Sequence, residues 1–243
     1  MVAELTILGT IHKDRKNYTS NDILKILKKV NPNIILYELD SSFFTKDYKF
    51  RNINFESQED VAVSKYLEIN PDIKIRPFDI EGRNKFYNEV DYFEKENEVN
   101  NELLELYRKK FLSKEANKIM DKMIKYNKKD NEYMSTGPEK INSLLYDRFI
   151  NKFIYLQLEG VDQIIKTTPQ LKKHQKFWRI KKSFWEKRTR VMIDNIIKYV
   201  NKYNKFRTIV IVGCKHRSSL RNRLLYIDIE SSVNLKEYWE YEN

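Results

Sequence analysis

Six side chains hold the chemistry this sequence can offer: His12, Glu38, Glu59, Asp79, Arg188 and His216. The two histidines stand in matching contexts. Residues 5–12, LTILGTIH, form an apolar run that breaks at Gly9 and reaches a histidine three residues later; residues 208–216, TIVIVGCKH, repeat Gly-x-x-His after a longer apolar run. The chain has five glycines and three histidines, so these segments use two of each. Glycine lets backbone approach another group closely at a strand end, and open α/β sheets bind ligands at the carboxyl ends of their strands. We therefore expect His12 and His216 to face one cleft, with Gly9 and Gly213 in its substrate-binding wall.

Two imidazoles with nearby carboxylates admit two chemistries. His12, Glu38 and His216 could ligate a divalent metal through nitrogen and oxygen. They could equally activate water without one, a histidine or glutamate serving as base while Arg188 or the second histidine stabilises a developing oxyanion. Each residue also has a purely structural reading: a hydrogen-bonded turn histidine, or a carboxylate capping the helix after its strand. The case rests on four strand ends finishing in groups able to coordinate or to transfer protons. No Gly-x-Ser-x-Gly elbow and no glycine-rich phosphate loop competes.

The elements that must position these groups alternate through the first third of the chain. A strand at 5–10 leads to an amphipathic helix at 21–30 behind the cap candidates Thr19 and Ser20. A strand at 33–40 follows, with Ile34, Leu36 and Glu38 on one face, then a helix at 57–69 carrying Glu59 in its first turn, and a strand at 72–79 ending in Asp79. This β-α-β-α-β order with right-handed crossovers makes a parallel sheet. Residues 81–182 read as long charged helices with turn signals at Gly137-Pro138, near Gly160 and around Pro169. We take 83–182 as a helical insertion or lid within a single α/β domain spanning 1–243. A helix at 183–203 then places Arg188 on the face of Trp185, Met192 and Tyr199, where a guanidinium needs a carboxylate or a bound anion. A buried strand at 207–213, a helix from about 218, a short strand at 225–229 and an aromatic tail close the chain.

Composition narrows the classes further. With 41% apolar and 13% aromatic residues the 243-residue chain can bury a sizeable core. No apolar run of about 18 residues is present, and the start lacks the order of a signal peptide, so the expected location is cytoplasmic. The lone Cys214 excludes an internal disulfide and a thiolate cluster, and reads as a small residue in a tight turn rather than a nucleophile. The net charge of +11 is concentrated in residues 171–223, which carry 17 Lys and Arg against two acids. Such a segment attracts polyanions, but no nucleic-acid-binding motif accompanies it, and a solvated face is the expected reading.

Taken in order, ILGTIH, PNIILYELD, EDVAVSKYL, PFDIEGR, WEKRTRVMIDNI and IVIVGCKHRSSLRNRLL resemble the motifs of the TraB/PrgY, Tiki, GumN and erythromycin-esterase/ChaN-like superfamily, nearest to its uncharacterised bacterial members. The resemblance covers roughly 1–83 and 183–224. It implies an EreA/ChaN-like fold, a mostly parallel sheet flanked by helices, and places the paired histidines on His12 and His216. The acids fall on Glu38, Glu59 and Asp79, and the helix arginine on Arg188. Where the superfamily usually has a small residue before its last histidine, this chain has Lys215, which would narrow or recharge the cleft. The members are functionally mixed, so the implied activity is a hydrolase of ester or amide bonds acting on a small molecule or peptide. The competing classes are a non-catalytic binder of metal, haem or anions, and a nucleic-acid binder using the basic segment.

Overall fold

The computed structural model describes residues 3–51, 57–226 and 233–242. Its centre is a five-stranded, all-parallel sheet: β1 (Ala3–Thr10), β2 (Ile34–Tyr37), β3 (Lys74–Pro77), β4 (Arg207–Gly213) and β5 (Val233–Leu235), in the order β3-β2-β4-β1-β5. The late strand β4 is inserted between β2 and β1, in register from Glu4–Arg207 to Thr10–Gly213. The carboxyl ends of β3, β2, β4 and β1 therefore lie side by side. Those are the four strands that the candidate residues follow.

Helices cover both faces, as strands apolar on both sides require. On one face, α1 (Ser20–Val30) and α2 (Gln58–Ile69) pack Ile23, Leu27, Ala62 and Val63 against Leu8, Ile35, Tyr37 and Ile209. Each starts in a capping box, Thr19 with Asp22 and Ser57 with Asp60, in which side chain and backbone satisfy each other's donors. On the other face, Met192, Ile193 and Ile196 of α9 (Gln175–Lys202) and Leu220 and Leu224 of α10 (Cys214–Tyr226) pack on Leu5, Ile7, Leu36 and Val210.

Between β3 and α9 run α3 (Arg83–Glu89), α4 (Tyr92–Arg108), α5 (Lys114–Met134), α6 (Pro138–Ile141), α7 (Leu144–Tyr155) and α8 (Val161–Thr167), with no strand among the described residues. Gly137-Pro138 opens α6, with proline at the first helical position where its missing N–H costs nothing. A π-helical turn, Leu156–Gly160, joins α7 to α8, so Gly160 continues the helical path instead of turning it. These helices form their own apolar core, to which Phe177 and Trp178 from the first turn of α9 belong.

Several boundaries differ from the sequence reading, among them β2 and β3, which are shorter than the expected 33–40 and 72–79. The expected helix at 183–203 starts eight residues earlier, at Gln175, because no glycine or proline interrupts residues 175–202. Position 182 is therefore no seam: α9 is a 28-residue spine with one end in the helical core and the other on the sheet. Likewise α10 follows β4 directly and begins at Cys214, not near 218. Of the strand expected at 225–229, the first two residues are helical and the others lie outside the described residues; the strand is Val233–Leu235.

The basic segment is in part an internal counter-charge. Seven of its cations, Lys173, Lys181, Lys182, Arg188, Arg207, Arg217 and Arg221, pair with acids from other elements. Among the described residues, no helix is long and apolar enough to cross a membrane.

Candidate functional site

Arg188 is the centre of the constellation. Its helical phase turns it to the strand ends, and its residue is 6% exposed. Nε donates to Asp79 Oδ1 at 2.8 Å and Nη2 to Asp79 Oδ2 at 2.8 Å, a bidentate pair, while Nη2 also donates to Glu38 Oε1 at 2.5 Å. Nη1 donates to His216 Nε2 at 3.0 Å. A guanidinium has five N–H donors and no acceptor, so four are engaged and one Nη1–H remains. Burial opposes the charge of Arg188, but Glu38 and Asp79 more than compensate and push its pKa up. Two turns further on, Asn195 donates to Phe78 O at 3.1 Å and ties α9 to the end of β3.

Asp79 receives further support from Ile80 N at 2.8 Å and Arg83 Nη1 at 2.7 Å. Arg83 opens α3 behind Gly82, whose φ of 70° suits glycine best. Glu38 lies one residue past β2, and its Oε2 accepts the backbone N–H of Gly213.

His12 reaches the same place from β1. Its backbone is left-handed, φ 63°, a conformation uncommon for residues other than glycine, and Gln58 holds the preceding peptide with Oε1 on Ile11 N and Nε2 on Tyr18 O, both 3.0 Å. The ring's Nδ1 donates to Glu59 Oε1. Its Nε2 lies over Gly213, where a Cβ would stand 2.6 Å from it and 3.5 Å from Glu38 Oε2. Gly213 is thus required by close approach: any side chain would displace the imidazole. The His12 side chain is 55% exposed at the cleft mouth with its Nδ1 edge turned inward. Burial lowers its pKa, but the hydrogen bond and charge of Glu59 and the charge of Glu38 outweigh that and raise it to about 8.

His216 is the opposite case. It lies in the first turn of α10, buried, its ring stacked on Trp185 at 4.2 Å and 18°. Burial and the charges of Arg188 and His12 hold its pKa well below the usual histidine value. Since Nε2 accepts from Arg188, the proton sits on Nδ1, which has no hydrogen-bond partner among the described residues. The two histidines therefore share one constellation in contrasting states, one charged at neutral pH and one neutral.

A cleft of about 560 Å³ is lined by His12, Glu38, Glu59 and Arg188, with Arg83, Tyr87 and Phe93 from the helices after β3. Contrary to the expectation that both histidines face one cleft, His216 is buried behind Arg188 and does not line it, and neither do Asp79 and Gly213. Two further sequence expectations do not hold here. Gly9 is not in this wall: its N–H and C=O are taken by Asn142 at 2.6 and 3.2 Å and its carbonyl also by Tyr18, while a Cβ there would press on Arg217 and Cys214. Nor do His12, Glu38 and His216 form a metal cage; among the described residues no three His, Cys, Asp or Glu side chains are placed to ligate one ion. The position between the acids is filled by the Arg188 cation, which bridges Glu38 to His216. Burial pushes the Cys214 thiol up to about 12, so it stays protonated at neutral pH, in keeping with its reading as a packed small residue.

Sequence reasoning missed Arg83, Tyr87 and Phe93. Arg83 was within reach, since it sits four residues after Asp79 and that spacing brings cation to carboxylate at a helix start. The two aromatics carry no signal of position, because only the path of α3 and α4 brings them over the strand ends.

The fold and site define an α/β protein with a polar constellation at the carboxyl edge of a parallel sheet. Compared with protein-family models, with curated proteins and with solved structures, the chain matches none.

Proposed function

We propose that this protein hydrolyses ester or amide bonds, with His12 as the general base. The observation that carries this reading is the Glu59–His12 pair: Glu59 holds Nδ1–H, so a neutral His12 presents the lone pair of Nε2 beside Glu38 in an open cleft. Water attacks the carbonyl carbon and gives its proton to Nε2. The oxyanion that forms is stabilised by the spare Nη1–H of Arg188 and by Arg83, both of which line the cleft. When the tetrahedral intermediate collapses, His12 returns the proton to the departing alcohol or amine. Glu38 and Asp79 hold Arg188 in place, and His216, neutral and stacked on Trp185, fixes its remaining edge.

No step requires a metal, and the acids that would have bound one are spent on Arg188. The lone cysteine is in keeping with a cytoplasmic site of action. The test is a panel of chromogenic esters and peptides assayed with the parent protein and with His12→Ala. Hydrolysis lost by at least about 100-fold in the variant supports the assignment. Turnover that survives the substitution overturns it.

A further inference from the structure

A second cavity lies behind the cleft and shares two of its walls. It encloses about 260 Å³, and Tyr87 and Phe93 line both spaces. Its other aromatic walls are Tyr92, Trp178 and Trp185. Trp185 links the cavity to the constellation: it lines the cavity while its ring stacks on His216, whose Nε2 contacts Arg188. Phe93, 61% exposed, stands where the two spaces meet.

The walls are fixed in advance. The π-helical turn Leu156–Gly160 contributes Gln157 and Leu158, and the Leu158 carbonyl accepts Trp178 Nε1–H at 3.0 Å, which sets the indole's orientation. π-Helical turns are rare and concentrate at functional sites. Lys181 is buried with Nζ 4.5 Å from the Trp178 ring centroid and paired with Glu96, so its charge is balanced inside the cavity. Lys215 also lines it, exposed, and has no carboxylate within 4 Å among the described residues. The residue expected to recharge the cleft therefore lies at this neighbouring cavity: among the lining side chains Glu96 balances Lys181 and Lys215 leaves one positive charge, which also acts on the buried Asp130 outside the lining. An engineered apolar cavity of about 150 Å³ takes benzene, so this one has room for one or two fused rings.

We propose that this cavity is a recognition pocket for an aromatic group carrying one negative charge, the rings held among the tryptophans and tyrosines and the anion by Lys215. That this group is the non-reacting end of a substrate, threaded between Tyr87 and Phe93 to place its ester or amide at His12, rests on the hydrolytic reading. Its binding does not.

The probe is 1-naphthoate, titrated against Trp239→Phe protein, in which both remaining tryptophans line the cavity. Saturable quenching of their fluorescence is expected, equally strong when His12→Ala is added. Lys215→Glu, an exposed change that should not disturb folding, is expected to weaken naphthoate at least tenfold, and the neutral 1-naphthalenemethanol is expected to bind at least tenfold more weakly than naphthoate. No saturable binding, or equal affinity for both ligands with and without Lys215→Glu, overturns the proposal. Naphthoate binding in a protein that hydrolyses no ester or peptide supports the pocket and removes the hydrolytic reading. Hydrolysis of small acetate esters without naphthoate binding does the reverse.

Discussion

Arg188→Met removes the cation that joins three strand ends, and its cost can be worked from the contacts. The substitution deletes four hydrogen bonds to groups whose side chains are 12% exposed or less in the case of Glu38 and Asp79, and to the buried His216. Breaking a buried pair by removing one partner costs about 3–5 kcal/mol, because the other charge is left in a poor solvent. Here Asp79 keeps Arg83 and the Ile80 N–H, and Glu38 keeps the Gly213 N–H, so the loss should sit near the lower bound, about 3 kcal/mol. For a chain of this length that is a fall in Tm of roughly 6–12 °C. Urea unfolding at pH 7 should show a lowered midpoint with an unchanged slope. Adding Glu38→Gln and Asp79→Asn removes the stranded charges and should recover part of the loss. The reasoning fails if Arg188→Met costs less than about 1 kcal/mol, or if the triple variant is no more stable than the single one.

Other substitutions read the same site differently. Glu59→Gln should move the His12 pKa from about 8 toward 6.5, followed by NMR titration of the imidazole; a pKa that stays near 8 would show that Glu59 does not set it. Gly213→Ala should push the ring off the strand end, lowering activity with little change in Tm, because the half-exposed imidazole can swing outward; unchanged turnover would contradict the close approach. His216 has a folded pKa below its unfolded value, so its contribution is present above about pH 6.5 and is lost as pH falls. His216→Asn should flatten the stability profile between about pH 6.5 and 5, by up to ~1.4 kcal/mol per pH unit. An identical slope in both proteins would refute the buried neutral histidine.

Much of the sheet and of the constellation was legible from residue order. Alternation in residues 34–37 sent Ile34 and Leu36 to one face and Ile35 and Tyr37 to the other, as found. The 100° phase of α9 put Arg188 inward, and its acids proved to be Glu38 and Asp79, with Glu59 turned instead to His12. What periodicity could not supply was the third dimension. The insertion of β4 between β1 and β2 is a matter of tertiary pairing, and it alone brings Gly213 under His12. The matching Gly-x-x-His segments also concealed a difference: His12 leaves its strand in a left-handed loop, whereas His216 enters a helix at once. Gly9 and Gly213 look alike in sequence, yet one faces Arg217 and Cys214 and the other faces an imidazole.

The central claim is that His12, oriented by Glu59, is the base of a hydrolase. The most direct measurement is the pH dependence of kcat/KM on the best ester or peptide of the panel, for the parent protein and for Glu59→Gln. With the His12 pKa at about 8, roughly one tenth of the protein carries the neutral base at pH 7. Activity should therefore rise through pH 7, reach half its maximum near pH 8 and level off above about 9, and in Glu59→Gln the rise should move toward 6.5 with a lower plateau. A profile that is flat from pH 6 to 9, or one whose midpoint is unmoved by Glu59→Gln, would contradict the account.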